Sequence, residues 1–297
     1  MQYRQLGPFK VSAIGYGAMP LSIEGHPDET RAVATVHAAL DAGITLLDTA
    51  DSYHAPGESP GHNEHLIARA LASYGAPTDH VLVATKGGRG RTAEGGWTVN
   101  GDPRHLKHAA EASLHRLGTD TIGLYQLHKP DPAVPYAESL GALRELLDAG
   151  TIRTAGISNA DSAQIRLARE VLGTDLVSVQ NRFSPAVRDS EPELRLCAEL
   201  GLAFLPWSPL GGVSRSSLDG PSDLPTADTE FHARARAEGI SPQQAVLSWL
   251  LALSPTLIPI PGASRPETVR NSAAAADLTP PLPPLPTPRP AHPAAAG

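Results

Sequence analysis

The sequence predicts an α/β fold, a single (β/α)8 barrel of the TIM type with an N-terminal β-hairpin and a disordered, proline-rich C-terminal tail. Three observations lead there. Short apolar runs of four to six residues alternate with longer amphipathic segments, the pattern of parallel strands joined by crossover helices. Eight such runs occur, the number that closes a barrel. The 297 residues suffice for one such barrel, which commonly takes about 250 residues. An open doubly wound sheet is the competing arrangement of the same repeats. The expected boundaries are 1–276 for the barrel and 277–297 for the tail.

The eight runs are AIGYGA from Ala13, ITLLD from Ile44, VLVAT from Val81, IGLYQL from Ile122, IRTAGI from Ile152, LVSVQ from Leu176, LAFLPW from Leu202 and LIPI from Leu257. Helix starts are marked by Asp102-Pro103, Asp161, Ser190 with Glu193, Ser241-Pro242 and Pro266, where a capping oxygen or a missing amide proton relieves unpaired backbone donors. Gly43, Gly118, Gly150, Gly173 and Gly201 follow periodic runs, as left-handed C-caps do. Two connections break the repeat, GGRGRTAEGGWTVNG from Gly87 to Gly101 and the stretch from Gly211 to about Asp228. Both are expected to be lid or binding loops beside the site. From Leu278 onward the prolines exclude helix and sheet, leaving a partly polyproline II tail, either solvated or held by a proline-binding partner.

A hydrophobic share of 41% with 19% charge is a globular composition, and no run reaches the roughly 20 apolar residues of a membrane span. The N-terminus lacks the pattern of a signal peptide, so a cytoplasmic location is expected. A net charge of −7 offers nucleic acid and acidic membranes no clustered positive field. The single cysteine, Cys197, lies in an apolar-periodic run and reads as packing. Twelve histidines show neither HxH nor HExxH spacing, so no metal site is expected. With no long apolar edge, a monomer is the default.

Chemistry in an α/β barrel gathers at the C-terminal ends of the strands. Here those ends carry Asp48 with Tyr53 in the following loop, then Lys86, His128, Ser158-Asn159, Gln180-Asn181, Trp207-Ser208 and Gly262-Ala263-Ser264-Arg265. Singly, each has a plainer reading as a solvated or turn-capping residue. Together, Asp48, Tyr53, Lys86 and His128 can form an acid/base unit. A tyrosine hydroxyl, near pKa 10 when free, is a weak acid unless a cation stabilises its phenolate. Lys86 can supply that cation, Asp48 can hold the ammonium, and His128 can orient a carbonyl or join the proton relay. With no cysteine or metal centre expected, electrons must come from an organic cofactor, and the amide-rich ends of the fifth and sixth strands suit a carboxamide. Tyr16, Met19 and Trp97 are candidate substrate walls, Trp97 either closing over a ring or plugging the barrel mouth.

The segments GITLLDTADSY, GHNEHLIARAL, VATKGG, LYQLHKPD, IRTAGISNA, VSVQNRFSP, LPWSPLGG and IPGASRPETV resemble the aldo-keto reductase superfamily in order and spacing, over residues 1 to about 275. The likeness runs to actinobacterial-type members related to deoxysugar-pathway ketoreductases and, more distantly, to pyridoxal reductases. It implies Asp48, Tyr53, Lys86 and His128 as a catalytic tetrad, and NADPH as cofactor. It further implies nicotinamide carboxamide contacts from Ser158, Asn159 and Gln180, and a pyrophosphate path along Trp207, Ser208, Leu210 and Gly212. Gly262, Ser264 and Arg265 stand where the family binds the adenosine 2'-phosphate. Thr268 and Asn271 replace the usual glutamine and glutamate near the adenine, Arg182 takes a position of ring contact with Phe183 next, and the family's last helix gives way to the tail. The resemblance implies reduction of an aldehyde, ketone or keto-sugar carbonyl with Tyr53 as proton donor. An NADPH-sensing regulatory subunit and a Schiff-base aldolase using Lys86 are the alternatives; the latter needs an unpaired lysine.

Overall fold

The computed structural model describes residues 1–214 and 228–278. It begins with an antiparallel hairpin of β1 (Tyr3–Leu6) and β2 (Phe9–Ser12). Its buried residues Leu6 and Val11 join Leu46, Leu82, Leu124, Val177, Ala203, Leu205, Ile258 and Ile260 in one apolar cluster drawn from most of the sheet. Gly7 turns this hairpin with φ 54°, and a Cβ there would lie 2.3 Å from Val177 Cγ1. Both the backbone angle and the close approach demand glycine.

The chain then alternates as the periodicity predicts: β3 (Tyr16–Gly17), α1 (Glu29–Asp41), β4 (Leu46–Asp48), α2 (His62–Ala72), β5 (Leu82–Gly87), β6 (Arg89–Arg91), β7 (Trp97–Val99), α3 (Pro103–Leu117), β8 (Ile122–Leu127), α4 (Tyr136–Asp148), β9 (Ile152–Ser158), α5 (Ser162–Leu172), β10 (Leu176–Gln180), α6 (Glu191–Leu200), β11 (Ala203–Phe204), α7 (Glu230–Glu238), α8 (Pro242–Leu253) and α9 (Pro266–Ala274). Among the described residues, β11-β10-β9-β8-β5-β4-β3 form a seven-stranded parallel sheet in that order. Its strands are buried on both faces and read as apolar runs for that reason.

The eighth predicted run, LIPI, is not an extended strand. Its bridges Phe204↔Leu257 and Gly17↔Gly262 touch both edges of the sheet. On the β11 side the Ile258 amide donates to the Phe204 carbonyl at 2.9 Å. On the β3 side the carbonyls of Pro259 and Pro261 accept from Gly15 and Gly17, at 2.9 and 3.1 Å. Pro259 and Pro261 have no amide hydrogen to return, so that ladder lacks the bonds they would donate.

Two further expectations change. Within the stretch from Gly87 to Gly101, β6 and β7 form an antiparallel hairpin with Arg91 opposite Trp97 in register, an order the sequence reading of a loop did not foresee. Gly173, with φ 59° and ψ −135°, leads into a 3₁₀ turn rather than a left-handed cap. The Gly211–Asp228 loop is described only as far as Ser214, and 215–227 lie outside the described residues, as does the tail from 279. Asp277, where the tail was expected to begin, ends a 3₁₀ turn and pairs with the Met1 amino group.

Capping follows the sequence at three helices and departs at one. Asp161 and Gln164 form a reciprocal box, as do Ser241 and Gln244, and Asp102 accepts from two amides of the first turn of α3. Ser190 makes no capping bond; Glu193 accepts from Ser162 Oγ at 2.6 Å instead. We expect Asp161→Ala to lower stability by about 1 kcal/mol in denaturant unfolding, the usual cost of a lost N-cap. Cys197 is buried in the main core, and burial pushes its thiol up to about 12, as suits a packing residue.

Candidate active site

Three adjacent strands, β4, β5 and β8, bring the predicted acid/base residues together. Asp48 ends β4, Lys86 lies near the end of β5, and His128 follows β8. Lys86 is fully buried, and its ammonium spends three donors: 2.6 Å to Asp48 Oδ2, 2.8 Å to the Thr49 carbonyl and 3.1 Å to the Tyr53 hydroxyl. The other Asp48 oxygen accepts from Gln180 Nε2 at 2.8 Å and Gln126 Nε2 at 3.4 Å. A buried ion pair holds only when its remaining lone pairs are met, and here two amides meet them.

Burial alone would lower the Lys86 pKa, but Asp48 and Tyr53 outweigh it, and the group is raised and stays charged. For Tyr53 the balance runs the other way. Burial raises the phenol and Lys86 only partly offsets it, so the hydroxyl keeps its proton at neutral pH. His128 is held well below the ordinary histidine range by burial, with the Lys86 and Arg89 charges adding to it, and is neutral. Its ring meets the Tyr53 ring edge-on with centroids 5.6 Å apart, and Nδ1 lies 3.5 Å from Ser52 Oγ.

Above this group opens a cleft of about 870 Å³, mouth included. Asp48, Tyr53, His128, Arg89 and Met19 contribute to its lining, as do Ser158, Asn159, Gln180, Trp207, Ser208, Leu210 and Gly262. Ser158 Oγ donates to the Gln180 carbonyl at 2.7 Å, and Asn159 Nδ2 to the His128 carbonyl at 2.9 Å. Carboxylate and carbonyl partners only accept, which fixes both amides with their nitrogens turned to protein. The Asn159 and Gln180 carbonyl oxygens accept no hydrogen bond among the described residues. Two open acceptors suit the two donors of a carboxamide NH₂. Asn159 and Ser208 both hold positive φ, 57° and 49°, a cost that gathers at ligand sites. A nicotinamide-type cofactor therefore fits the residues present.

Not every candidate reaches the cleft. Tyr16 is fully buried, its hydroxyl donating to the Ala263 carbonyl at 2.7 Å, and it staples β3 to the segment after the eighth run. Trp97 lies outside the lining and packs beneath the guanidinium groups of Arg89 and Arg91, 4.2 and 4.3 Å from its centroid. Gly212 follows the lining residue Gly211 with φ 89°. Ser264 and Arg265 precede α9, and Arg265 is its N-cap residue; Thr268 lies in its first turn. Asn271, further along α9, donates to Ser241 Oγ at 3.0 Å. The cation of Arg182 sits 5.6 Å from the Trp207 ring, and Phe183 stacks on Trp249 in the core. Trp207 lines the cleft, and the residue after Asn181 does not.

Three residues escaped the sequence reading. Gln126 stands two positions before His128, so strand alternation alone could have placed it on the same face. Arg89 was lost in an apparent loop. Asp51, buried with one oxygen unpartnered among the described residues, lies near the Glu64–Arg116 ion pair. Burial, then the Glu64 charge, push it up to about 8. Folding then takes up a proton between pH 3.8 and about 8, so this group's stabilisation declines as pH rises through that window. We expect Asp51→Asn to gain on the wild type by up to about 1.4 kcal/mol per pH unit across the window in denaturant unfolding. Parallel pH curves for the two proteins would contradict this.

The Aldo/keto reductase family model matches residues 13–283. A 6-dehydroglucose reductase of Novosphingobium aromaticivorans is 35% identical over 278 residues, covering 92% of this chain and 90% of its own. An oxidoreductase of Schizosaccharomyces pombe is 33% identical over 278 residues, covering 92% and 84%. Among solved structures, an aldo-keto reductase from Bacillus halodurans in its holo form superposes with TM-score 0.75 at 30% identity, covering 96% and 92%. One from Klebsiella pneumoniae, in complex with NADP and acetate, gives 0.74 at 25% identity, covering 93% and 90%.

Proposed function

The chain belongs to the aldo/keto reductase family, and we propose that it reduces an aldehyde, ketone or keto-sugar carbonyl to an alcohol, with NADPH as reductant and Tyr53 as proton donor. The observation that carries this reading is the fully buried Lys86 ammonium, 2.6 Å from Asp48 and 3.1 Å from the Tyr53 hydroxyl at the floor of the cleft.

When bound, the cofactor supplies a hydride to the carbonyl carbon. The protein supplies everything else. Tyr53 gives its proton to the carbonyl oxygen, and Lys86 steadies the phenolate left behind, so the cation acts where charge develops. If Ser52 donates to His128 Nδ1, the neutral ring carries its proton on Nε2 and aims a second donor at the same oxygen. Asp48, held by Gln180 and Gln126, keeps the ammonium in place. Ser158, Asn159 and Gln180 bind the carboxamide, and Trp207 offers an aromatic face to its ring. Ser208, Leu210 and Gly212 follow the pyrophosphate. Gly262, Ser264 and Arg265, before the α9 N-terminus, take a 2'-phosphate, which favours NADPH over NADH; Thr268 and Asn271 lie toward the adenine.

The architecture we propose is a closed (β/α)8 barrel, monomeric and cytoplasmic, whose eighth stave is the proline-bearing segment at 257–262. Among the described residues no helix is long and apolar enough to cross a membrane. The 6-dehydroglucose reductase relative favours a carbonyl carried on a sugar. The test is NADPH oxidation with aldehydes, diketones, pyridoxal and keto sugars. Stoichiometric alcohol formation is expected; tight NADPH binding with no turnover on any compound would favour a sensing subunit instead.

A further inference from the structure

We propose that Arg89 is an anion receptor in the substrate end of the cleft, and that the carbonyl substrate therefore carries a carboxylate or phosphate. The inference rests on the reductase reading above and specifies its substrate class.

Arg89 lies three residues beyond Lys86, in the first strand of the β6–β7 hairpin, and lines the cleft together with Tyr53 and His128. Its neighbour two positions on, Arg91, is engaged through both terminal nitrogens: it pairs with Glu24 and donates to the carbonyls of His54 and Gly95. Arg89 differs. Among the described residues its guanidinium has no ion pair and no hydrogen bond; the buried Nε is unpartnered in both arginines, but in Arg89 the terminal nitrogens are open as well. What holds it is the face of Trp97, 4.2 Å from the guanidinium carbon. Stacking fixes the plane of a guanidinium while leaving its in-plane donors free, which is how arginine is prepared for a bidentate carboxylate or phosphate.

Charge balance points the same way. Lys86 is neutralised by Asp48, and His128 is neutral, so the Arg89 charge is uncompensated among the described groups lining the cleft. Partial burial already disfavours that bare charge. Both Tyr53 and His128 respond to it, so it lies within electrostatic range of the reacting oxygen. It stands at the Tyr53 end of the cleft, whereas the segment before α9 serves the cofactor phosphates. A substrate anion seated on Arg89 would place its carbonyl toward Tyr53.

The test measures kcat/KM on the NADPH-loaded enzyme for matched pairs: succinic semialdehyde and meta- and para-carboxybenzaldehyde beside their methyl esters, and glyceraldehyde phosphate beside glyceraldehyde. Charge-assisted bonds of this kind correspond to a preference of about tenfold or more for the anionic member of at least one pair. The carboxylate and phosphate pairs separate the two sources of charge. In Arg89→Met that ratio should collapse to about unity, with Arg89→Lys intermediate, because a point charge cannot give the bidentate geometry. Titration of the NADP⁺-loaded protein with para-(hydroxymethyl)benzoate beside benzyl alcohol reads the same preference without turnover. A wild type that turns over every pair without preference would overturn the inference and leave the reductase reading intact, as would a preference that survives in Arg89→Met. Absence of turnover together with an Arg89-dependent preference in the titration would sink the reductase reading and leave the receptor standing. Failure in both assays would sink both.

Discussion

Tyr53→Phe should lower kcat by about a hundred- to ten-thousand-fold, the range that general acid catalysis supplies. NADPH affinity should stay within about twofold, because the carboxamide contacts come from Ser158, Asn159 and Gln180, and Tyr53 is not among them. The change removes one oxygen from a hydroxyl that accepts only from Lys86 Nζ at 3.1 Å. Ammonium and carboxylate keep their own contact at 2.6 Å, so the fold should barely notice. Steady-state kinetics beside cofactor titration checks both halves. Retained turnover would mean that another group protonates the product, with His128 the nearest candidate, its ring 5.6 Å from that of Tyr53.

Lys86→Met should be costlier because it fails twice. It removes the cation that steadies the phenolate, and it leaves the Asp48 carboxylate buried with amide donors alone. Breaking a buried pair from one side typically costs about 3–5 kcal/mol. Denaturant unfolding should show a loss of that order, with activity below detection. Lys86→Met combined with Asp48→Asn removes the stranded charge and should recover most of the stability and none of the activity. Recovery of both would show that the pair serves the fold only. The same pairing counts against a Schiff-base aldolase, since a lysine held charged by a carboxylate is a poor nucleophile.

Much of this was legible because the parallel strands are buried on both faces. IGLYQL and LVSVQ appear in the structure residue for residue as β8 and β10, each an unbroken buried or nearly buried run. LIPI was read as a strand on apolar content, but Pro259 within it and Pro261 after it reduce the pairing to bridges. The hairpin at 89–99 was hidden by its glycines, since RGR and WTV are too short to show alternation and are joined by their tertiary setting. Within the site, the acid/base residues were visible as polar groups closing apolar runs. Their wiring was not. Gln180 was expected to contact a carboxamide; its nitrogen is committed to Asp48, which leaves its oxygen alone for a ligand. The aromatic face was sought just after Asn181, whereas Arg182 lies over Trp207 and brings the next strand end to the cleft. Such contacts join residues far apart in sequence and leave no periodic trace.

The most direct test of the central claim is hydride tracing. NADPH deuterated at the transferable position is incubated with the protein and the best carbonyl substrate, and the alcohol is analysed by mass spectrometry and NMR. One deuterium per product molecule on the former carbonyl carbon, transferred by wild type and at least about a hundredfold more slowly by Tyr53→Phe, is the predicted result. Tight binding of the labelled cofactor with no deuterium in any product would contradict the account and make the cleft a nucleotide-sensing site.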